Sequence, residues 1–447
     1  MKAYFKLGLT LAAGLAILSN SGSINAQSVK EFQLRRKAVI EEMKPNSIMI
    51  LHTEAEPSGL FNIPRFGGFF YYLTGINEPN VYLVLKREST GSDGMEILFI
   101  EPIDKRRADW DAPGFGIEGA KENLRFNDVR SNKEFETFFE NALLENPRIV
   151  YMDYRHFPST GFLSYYEQFF KKVKEMGASF DILSPSELIS PMLGAKSASE
   201  LIILQKSVTI TAEAQREAMR SIEPGMYEYQ LQAIIRYIYK INGAHGIGFP
   251  CIIGSGINSV ILHWMENSRK MEDGDIVVVD IGAEYGMYWA DITRTYPVNG
   301  KYSQRQKDIY EIVLKANEEA IKMIAPGVDF SDVSKKADEI LAEGMLRIGL
   351  INDKSDFKKY YYHGLGHHIG LINARGANLS KLEPGMVITI EPGIYIREEE
   401  LGVRIEDDVL VTETGHEVLS KNAPKKIDEV ERLMSEEGIN INKNLIK

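Results

Sequence analysis

The sequence predicts an α/β (α+β) protein in two parts. An N-terminal α/β domain with a mixed sheet is followed by a second domain built from two copies of one structural unit. Three observations carry that prediction. Short β-branched runs alternate with helical ones from Glu31 to Asp181. The phrase EAMRSIEPGM, at Glu217–Met226, returns as EAIKMIAPGV at Glu319–Val328. An acid-bearing apolar run, DGDIVVVDIG at Asp273–Gly282, returns as EPGMVITIEPG at Glu383–Gly393.

A chain of 447 residues exceeds one ordinary core, and its punctuation divides it into segments 1–26, 27–190 and 191–447. The first segment has the parts of a signal peptide. Lys2 and Lys6 supply the positive start, Leu7–Leu18 the apolar run, and Ile24-Asn25-Ala26 the cleavage site. That run is too short and too poorly flanked for a membrane span, and no cysteine follows it to accept a lipid. The expected destination is export, to the periplasm or the medium, without membrane insertion once the signal is removed. Export permits disulfides, but Cys251 is the single cysteine, so no intramolecular bridge can form. It is expected to be a small buried apolar residue. A formal charge of −11 argues against nucleic acid and anionic lipid as partners, and part of it belongs to acids expected to surround cations.

Within 27–190 the helix RRKAVIEEM precedes strands in NSIMILHT, VYLVLK, MEILFIE and RIVYMD. The aromatic run FFYYL, in FFYYLTGINEP, reads as a core strand. Pro185, Pro191 and Gly194 then mark a boundary. Ser197 and Glu200 have capping-box spacing and open a long amphipathic helix that stops at Pro224-Gly225. A further helix, YEYQLQAIIRYIYK, ends near Gly243. Helix, Pro-Gly turn, helix and acid-bearing strand then recur, aligning Asp280 with Glu391. Two copies are too few for a solenoid. Each copy is expected to donate carboxylates to one shared site.

Five candidate metal ligands follow in order: Asp280 in VVVDIGAEY, Asp291 in YWADITRTY, His367 in HGLGHHIG, Glu391 in ITIEPGIY and Glu406 in GVRIEDDVL. Four carboxylates and one imidazole form a hard, oxygen-rich set suited to two divalent cations and not to a thiolate zinc site. Such ligation favours Mn²⁺, with Zn²⁺ or Co²⁺ also fitting. Each acid follows or interrupts an apolar β-branched stretch, where a charge is costly without a partner or a cation. Gly282 and Gly286 allow a hairpin that sets Asp280 and Asp291 on adjacent strands. Two like charges buried that close push one pKa strongly upward unless a cation stabilises both. Gly364 and Gly366 between His363 and His367 point to a loop or strand entry, and the motif is not HExxH. No glycine-rich phosphate loop follows an expected strand, which disfavours a dehydrogenase or a kinase.

On these motifs the chain resembles the metallopeptidase family of aminopeptidase P, prolidase and methionine aminopeptidase, which has the pita-bread fold. The likeness is closest to aminopeptidase P, the Xaa-Pro aminopeptidase, because FFYYLTGINEP and its preceding helix extend it into the N-terminal half. IPRFGGFFYYLTG departs from the Tyr-Arg-Gln type of sequence usual before that stretch. The resemblance implies that Asp280 chelates one metal, His367 with Glu391 the other, and that Asp291 and Glu406 bridge them. Two metals so held can acidify a shared water. Glu391 is then the general base. His263, in ILHWMEN, and His363 orient the scissile peptide and stabilise charge on the tetrahedral intermediate. Arg404 supports the metal carboxylates through an ion pair.

The family usually places a Val-His dipeptide shortly after the histidine ligand. Here the chain reads GLINARGAN, so Ala374 or, with one residue inserted, Arg375 takes that position. Arg375 can donate hydrogen bonds to a substrate carbonyl but cannot shuttle a proton at neutral pH; His368 is a further substitute. The implied activity is release of the N-terminal residue from peptides with proline second, by a homo-oligomer of two or more subunits. A prolidase, restricted to Xaa-Pro dipeptides, is the alternative within the family. Outside it stands a peptide-binding homologue that keeps the metals and hydrolyses weakly, a reading supported by the missing histidine alone.

Overall fold

The computed structural model describes residues 28–53, 67–88, 94–104, 114–152, 162–371 and 379–439. The expected signal segment 1–26 and the Ala374–Arg375 position lie outside them. The chain forms two compact units, Gln27–Leu193 and the part from Gly194 onward. Among the described residues no helix is long and apolar enough to cross a membrane.

The first unit runs α1 (Val29–Glu42), β1 (Ser47–His52), α2 (Gly68–Thr74), β2 (Tyr82–Arg87), β3 (Gly94–Ile100), α3 (Gly116–Leu124), β4 (Asp128–Ser131), α4 (Phe135–Leu144), β5 (Ile149–Tyr151), α5 (Phe162–Glu175), β6 (Asp181–Leu183) and α6 (Ser186–Ile189). Its strands make one sheet in the order β4-β3-β2-β1-β5-β6. The central pairs β1–β2 and β2–β3 are antiparallel, and β4, β5 and β6 add in parallel. The sheet is therefore mixed. Alternate residues such as Ile48, Ile50, Val84, Ile97 and Phe99 leave one face and pack with Phe135, Phe139 and Phe169 from the helices.

The FFYYL run is a helix and not a strand: it forms α2. Gly75, at φ +72°, ends that helix in the left-handed conformation, and its N–H donates to Tyr71 O at 2.7 Å. Two further carbonyls near its end are met from α1. Arg35 Nη1 donates to Tyr72 O at 3.1 Å and Arg36 Nη1 to Leu73 O at 2.8 Å, while the Arg35 guanidinium lies over the Tyr72 ring. Two buried cations at a helix C-terminus favour the helix over the strand that aromatic propensity suggests.

The second unit begins with α7 (Ala198–Ser221), whose capping box is complete. Glu200 N–H donates to Ser197 Oγ at 3.2 Å, and Ser197 N–H to Glu200 Oε2 at 2.9 Å. Then follow α8 (Glu228–Ile241), β7 (Gly246–Ile247), β8 (Ile252–Ser255), β9 (Ile276–Ile281), β10 (Ala283–Tyr285), β11 (Tyr288–Trp289) and β12 (Ile292–Pro297). The second copy has α9 (Gln304–Lys322), α10 (Phe330–Arg347), β13 (Val387–Ile390), β14 (Gly393–Ile396), β15 (Leu401–Arg404), β16 (Asp407–Val411) and β17 (His416–Val418), and α11 (Ile427–Leu433) closes the series.

The duplication extends to single hydrogen bonds. Gly225 and Gly327, at φ +95° and +84°, turn the chain after α7 and α9. Their N–H groups donate to Met271 O and Leu382 O, both at 2.8 Å, just ahead of the acid-bearing strands. Three-stranded sheets β12-β9-β8 and β13-β16-β17 follow, one in each copy. In the first, β9 and β12 pair antiparallel with Asp280 opposite Thr293. Their connection is the β10–β11 hairpin, turned by Gly286 and Met287, both at positive φ. Gly282 is required by a close approach, since a Cβ there would lie 1.9 Å from Ala290 O. Cys251 is buried beside this sheet, and burial pushes its thiol up to about 12.

Candidate metal centre

Strand ends bring the acids together. Asp280 is on β9, Asp291 stands immediately before β12, Glu391 immediately after β13, and Glu406 immediately before β16. All four, with His263, His363, His367 and Arg404, line one cavity of about 540 Å³. Its apolar wall includes Phe249, Leu262, Met265 and Trp289. Ligand atoms of Asp291, His367 and Glu406 all lie within 4.8 Å of one another.

His367 Nε2 is 3.6 Å from Asp291 Oδ2 and 3.6 Å from Glu391 Oε1. Its Nδ1 is 3.1 Å from His368 O. A carbonyl only accepts, so Nδ1 carries the proton and Nε2 offers its lone pair toward the acids. The backbone fixes the ring's root: His367 N–H donates to Thr389 Oγ1 at 3.0 Å, and Thr389 N–H to His367 O at 2.9 Å.

The acids are strained electrostatically. Burial, and then Glu406 and the other neighbouring acids, push the Asp291 carboxyl well above its ordinary range. Burial and Glu391 do the same to Glu406, and burial lifts Glu391 to about 8. Arg404 answers part of the charge: its Nη2 donates to Asp280 Oδ2 at 2.7 Å and its Nη1 to Tyr395 OH at 3.1 Å. Thr293 Oγ1 donates to Glu406 Oε2 at 2.6 Å. Among the described residues Asp280 Oδ1 is buried with no hydrogen-bond partner, and so is Asp408 Oδ1. Asp408 Oδ2 accepts from Asp291 N–H at 3.2 Å, behind the acids. Clustered acids, an imidazole lone pair and an unsatisfied buried carboxylate oxygen are conditions that divalent cations relieve. The residues fit such ions.

His363 Nδ1 lies 2.8 Å from Gly364 O, so it is the protonated nitrogen, and Nε2 accepts from Tyr395 OH at 2.9 Å. Burial, with Arg404 next, lowers this imidazole to about 4, which keeps it neutral. His263 is exposed on the connection between β8 and β9. Glu228 of α8 holds that connection, accepting from Ser255 N–H at 2.8 Å, Trp264 Nε1 at 2.8 Å and Arg269 N–H at 3.0 Å. His368 is not among the cavity's lining residues. Ala374 and Arg375 lie outside the described residues. Thr293, Tyr395, Asp408 and Glu228 escaped the sequence reading. Each acts through a partner distant along the chain, and only the IEDD run around Asp408 offered a signal.

Comparison with known proteins agrees with this architecture. Residues 203–413 match metallopeptidase family M24, and residues 32–151 match the aminopeptidase P N-terminal domain. The chain is 35% identical over 430 residues to the Xaa-Pro aminopeptidase of Haemophilus influenzae, covering 91% of this chain and 97% of that relative. Among solved structures it is similar to aminopeptidase P from E. coli with the inhibitor Pro-Leu, with TM-score 0.82 and 33% identity over 91% of this chain and 98% of that one. A zinc-substituted form of that E. coli protein in complex with product gives TM-score 0.83 at the same identity and coverage. A duplicated α/β unit whose acids converge on one cleft defines a metal-dependent hydrolase with the pita-bread fold. The chain belongs to metallopeptidase family M24, in the branch of aminopeptidase P and prolidase.

Proposed function

We propose that this chain is an exported Xaa-Pro aminopeptidase that works with two divalent ions, Mn²⁺ first among the candidates, and releases the N-terminal residue of peptides with proline second. The observation that carries the reading is the convergence of Asp280, Asp291, His367, Glu391 and Glu406 on one cavity with a buried carboxylate oxygen unsatisfied. Near end-to-end similarity to Xaa-Pro aminopeptidases supports the substrate class.

Asp280, His367 and Glu391 would hold the ions individually, with Asp291 and Glu406 shared between them. When bound, the ions supply Lewis acidity that activates a water and polarises the scissile carbonyl. The chain's own residues do the rest. Glu391, deprotonated when it helps hold an ion, can take up a proton and return it to the leaving amine. His363 stays neutral with its Nε2 held by Tyr395, and it lines the cavity together with the exposed His263; both would meet the peptide's polar groups there, His363 by exchanging its tyrosine partner. Phe249, Leu262 and Trp289 supply an apolar wall that excludes water from the peptide. Arg375 stands in for the family's further histidine as a donor to the substrate carbonyl. Cleavage after Ala26 yields a mature chain starting at Gln27, and the mature protein assembles as a homo-oligomer.

The deciding experiment loads mature protein with metal and offers an Xaa-Pro dipeptide, an Xaa-Pro-Yaa tripeptide and a tripeptide without proline. The tripeptide with proline second should be cut fastest and the one without proline left intact. A protein that holds two metals yet cleaves no proline-containing peptide overturns the reading. Dipeptide cleavage alone would make it a prolidase. N-terminal sequencing of periplasmic or secreted material tests the export claim.

A further inference from the structure

Gln215 on α7 and Asn317 on α9 hold the same position in the two copies, two residues before Glu217 and Glu319, where the repeated phrase begins. Both are completely buried, at 0% exposure. An amide in such a place is costly unless it is hydrogen-bonded, and both find their partners beside the acids.

Gln215 Nε2 donates to Val279 O at 2.9 Å and to Ile292 O at 2.8 Å. Val279 precedes Asp280, and Ile292 follows Asp291. Asn317 Nδ2 donates to Ile390 O at 2.9 Å and to Ile405 O at 3.4 Å. These residues precede Glu391 and Glu406. In each copy one amide thus ties together the two backbone segments that carry that copy's acids. The carbonyl sides differ. Asn317 Oδ1 accepts from Lys425 Nζ at 2.7 Å, and Lys425 also donates to Asp407 Oδ2 at 2.6 Å. Gln215 Oε1 has no hydrogen-bond partner among the described residues.

We infer that Gln215 and Asn317 are a matched pair of positioning residues for the metal centre, an inference that rests on the dinuclear reading above. Metal–ligand distances tolerate only about ±0.2 Å. Ligands on four separate segments therefore need their backbones held to that tolerance. The amides supply this hold through the main chain, touching neither metal nor substrate. Lys425 stiffens the Asn317 side by fixing the orientation of its amide.

Gln215→Met and Asn317→Leu keep the shape of the side chains and remove their donors. Co²⁺ titrated into each variant and into wild type, followed by calorimetry and by visible absorption, reads both affinity and ligand geometry. Each variant should bind Co²⁺ about 10–100-fold more weakly than wild type, with its visible bands displaced and its far-ultraviolet circular dichroism retained. Wild-type affinity and an unchanged spectrum in the folded variants would overturn the inference and leave the amides a purely structural role. Should either variant fail to fold, Gln215→Asn and Lys425→Met carry the same test, because they misplace an amide without deleting it. A smaller loss of affinity with displaced bands is then expected, and a wild-type spectrum overturns the inference. Wild type that takes up no Co²⁺ would refute the dinuclear reading itself, which keeps the two failures distinct.

Discussion

Two arginine–aspartate pairs are buried in the second unit, and they differ in what is left unsatisfied. Arg294 on β12 meets Asp407 on β16 at 2.7 Å, with both side chains about 1% exposed. Lys425 and Ser420 donate to the same carboxylate at 2.6 Å each. Arg294 also donates to the carbonyls of Thr293, Glu406 and Ala423. Burial opposes ionisation of Asp407, yet Arg294 and Lys425 hold its carboxyl below the usual range. Arg404 on β15 meets Asp280 on β9 at the same 2.7 Å, but Asp280 Oδ1 has no partner among the described residues and the pair lines the cavity. One pair is closed, and the other keeps an open carboxylate oxygen at the cavity. In this molecule the saturated pair lies away from the cavity, while the pair that keeps a carboxylate oxygen without a partner among the described residues faces the cavity, where a ligand can reach it.

The open side should give the largest effect. Asp291→Ala or Glu406→Ala is expected to lose both metals and reduce turnover to background, if the proposed sharing of these carboxylates between two ions holds. Asp280→Ala or His367→Ala should weaken chiefly one metal. Elemental analysis checks both statements, and two metals retained by Asp291→Ala would break the bridging assignment. On the closed side, Arg294→Met should lower the unfolding free energy by about 3–5 kcal/mol, because it strips a buried carboxylate of its main partner. Urea denaturation should show that loss equally with and without metal. Arg404→Met should behave differently: in the metal-loaded protein it should be better tolerated in stability than Arg294→Met, with turnover falling about 10–100-fold. Equal destabilisation of the loaded protein by the two substitutions would erase the distinction between the pairs.

The smallest effect is a pH dependence of opposite sign on the two sides. Without metal, Asp291, Glu391 and Glu406 have folded-state pKa values above their ordinary ones, so the native state binds their protons more tightly than the unfolded chain. Their contribution is therefore most favourable below the unfolded values, roughly pH 4. It is lost as pH climbs toward about 8, where Glu391 ionises. Asp407, held below its ordinary value, contributes stability above the unfolded value and loses it on acidification. Melting temperatures of metal-free protein should accordingly fall between pH 5 and 8, by more than those of metal-loaded protein. A metal-free melting temperature that rises across that interval would contradict the sign.

Much of this arrangement was legible in the chain, and the rest was not for identifiable reasons. The acids at Asp280, Asp291, Glu391 and Glu406 stand out because each sits in or beside a β-branched run, where a charge must have a purpose. The repeat was legible because Glu-Ala, an isoleucine and the Pro-Gly turn fall at the same positions of both phrases. FFYYL misled because aromatic propensity favours strands, while the deciding contacts come from Arg35 and Arg36, 37 residues earlier. Gln215 and Asn317 read as ordinary polar residues of amphipathic helices. Only carrying the repeat alignment two residues upstream sets them at one position, and no spacing reveals that they bond to the segments bearing the acids. Tyr395 and Thr293 were silent in the same way, since a hydroxyl's partner is decided by tertiary structure.

Cys251 has a practical consequence. It is the chain's single cysteine, 1% exposed, and its thiol is held protonated up to about 12. Maleimides and iodoacetamides react with thiolates, so to such reagents the folded native chain behaves as though it contained no cysteine. A cysteine introduced at an exposed position, such as Tyr237 on α8, would be the one labelled site. A fluorophore or spin label could then be attached to follow the protein in solution without first removing a native residue.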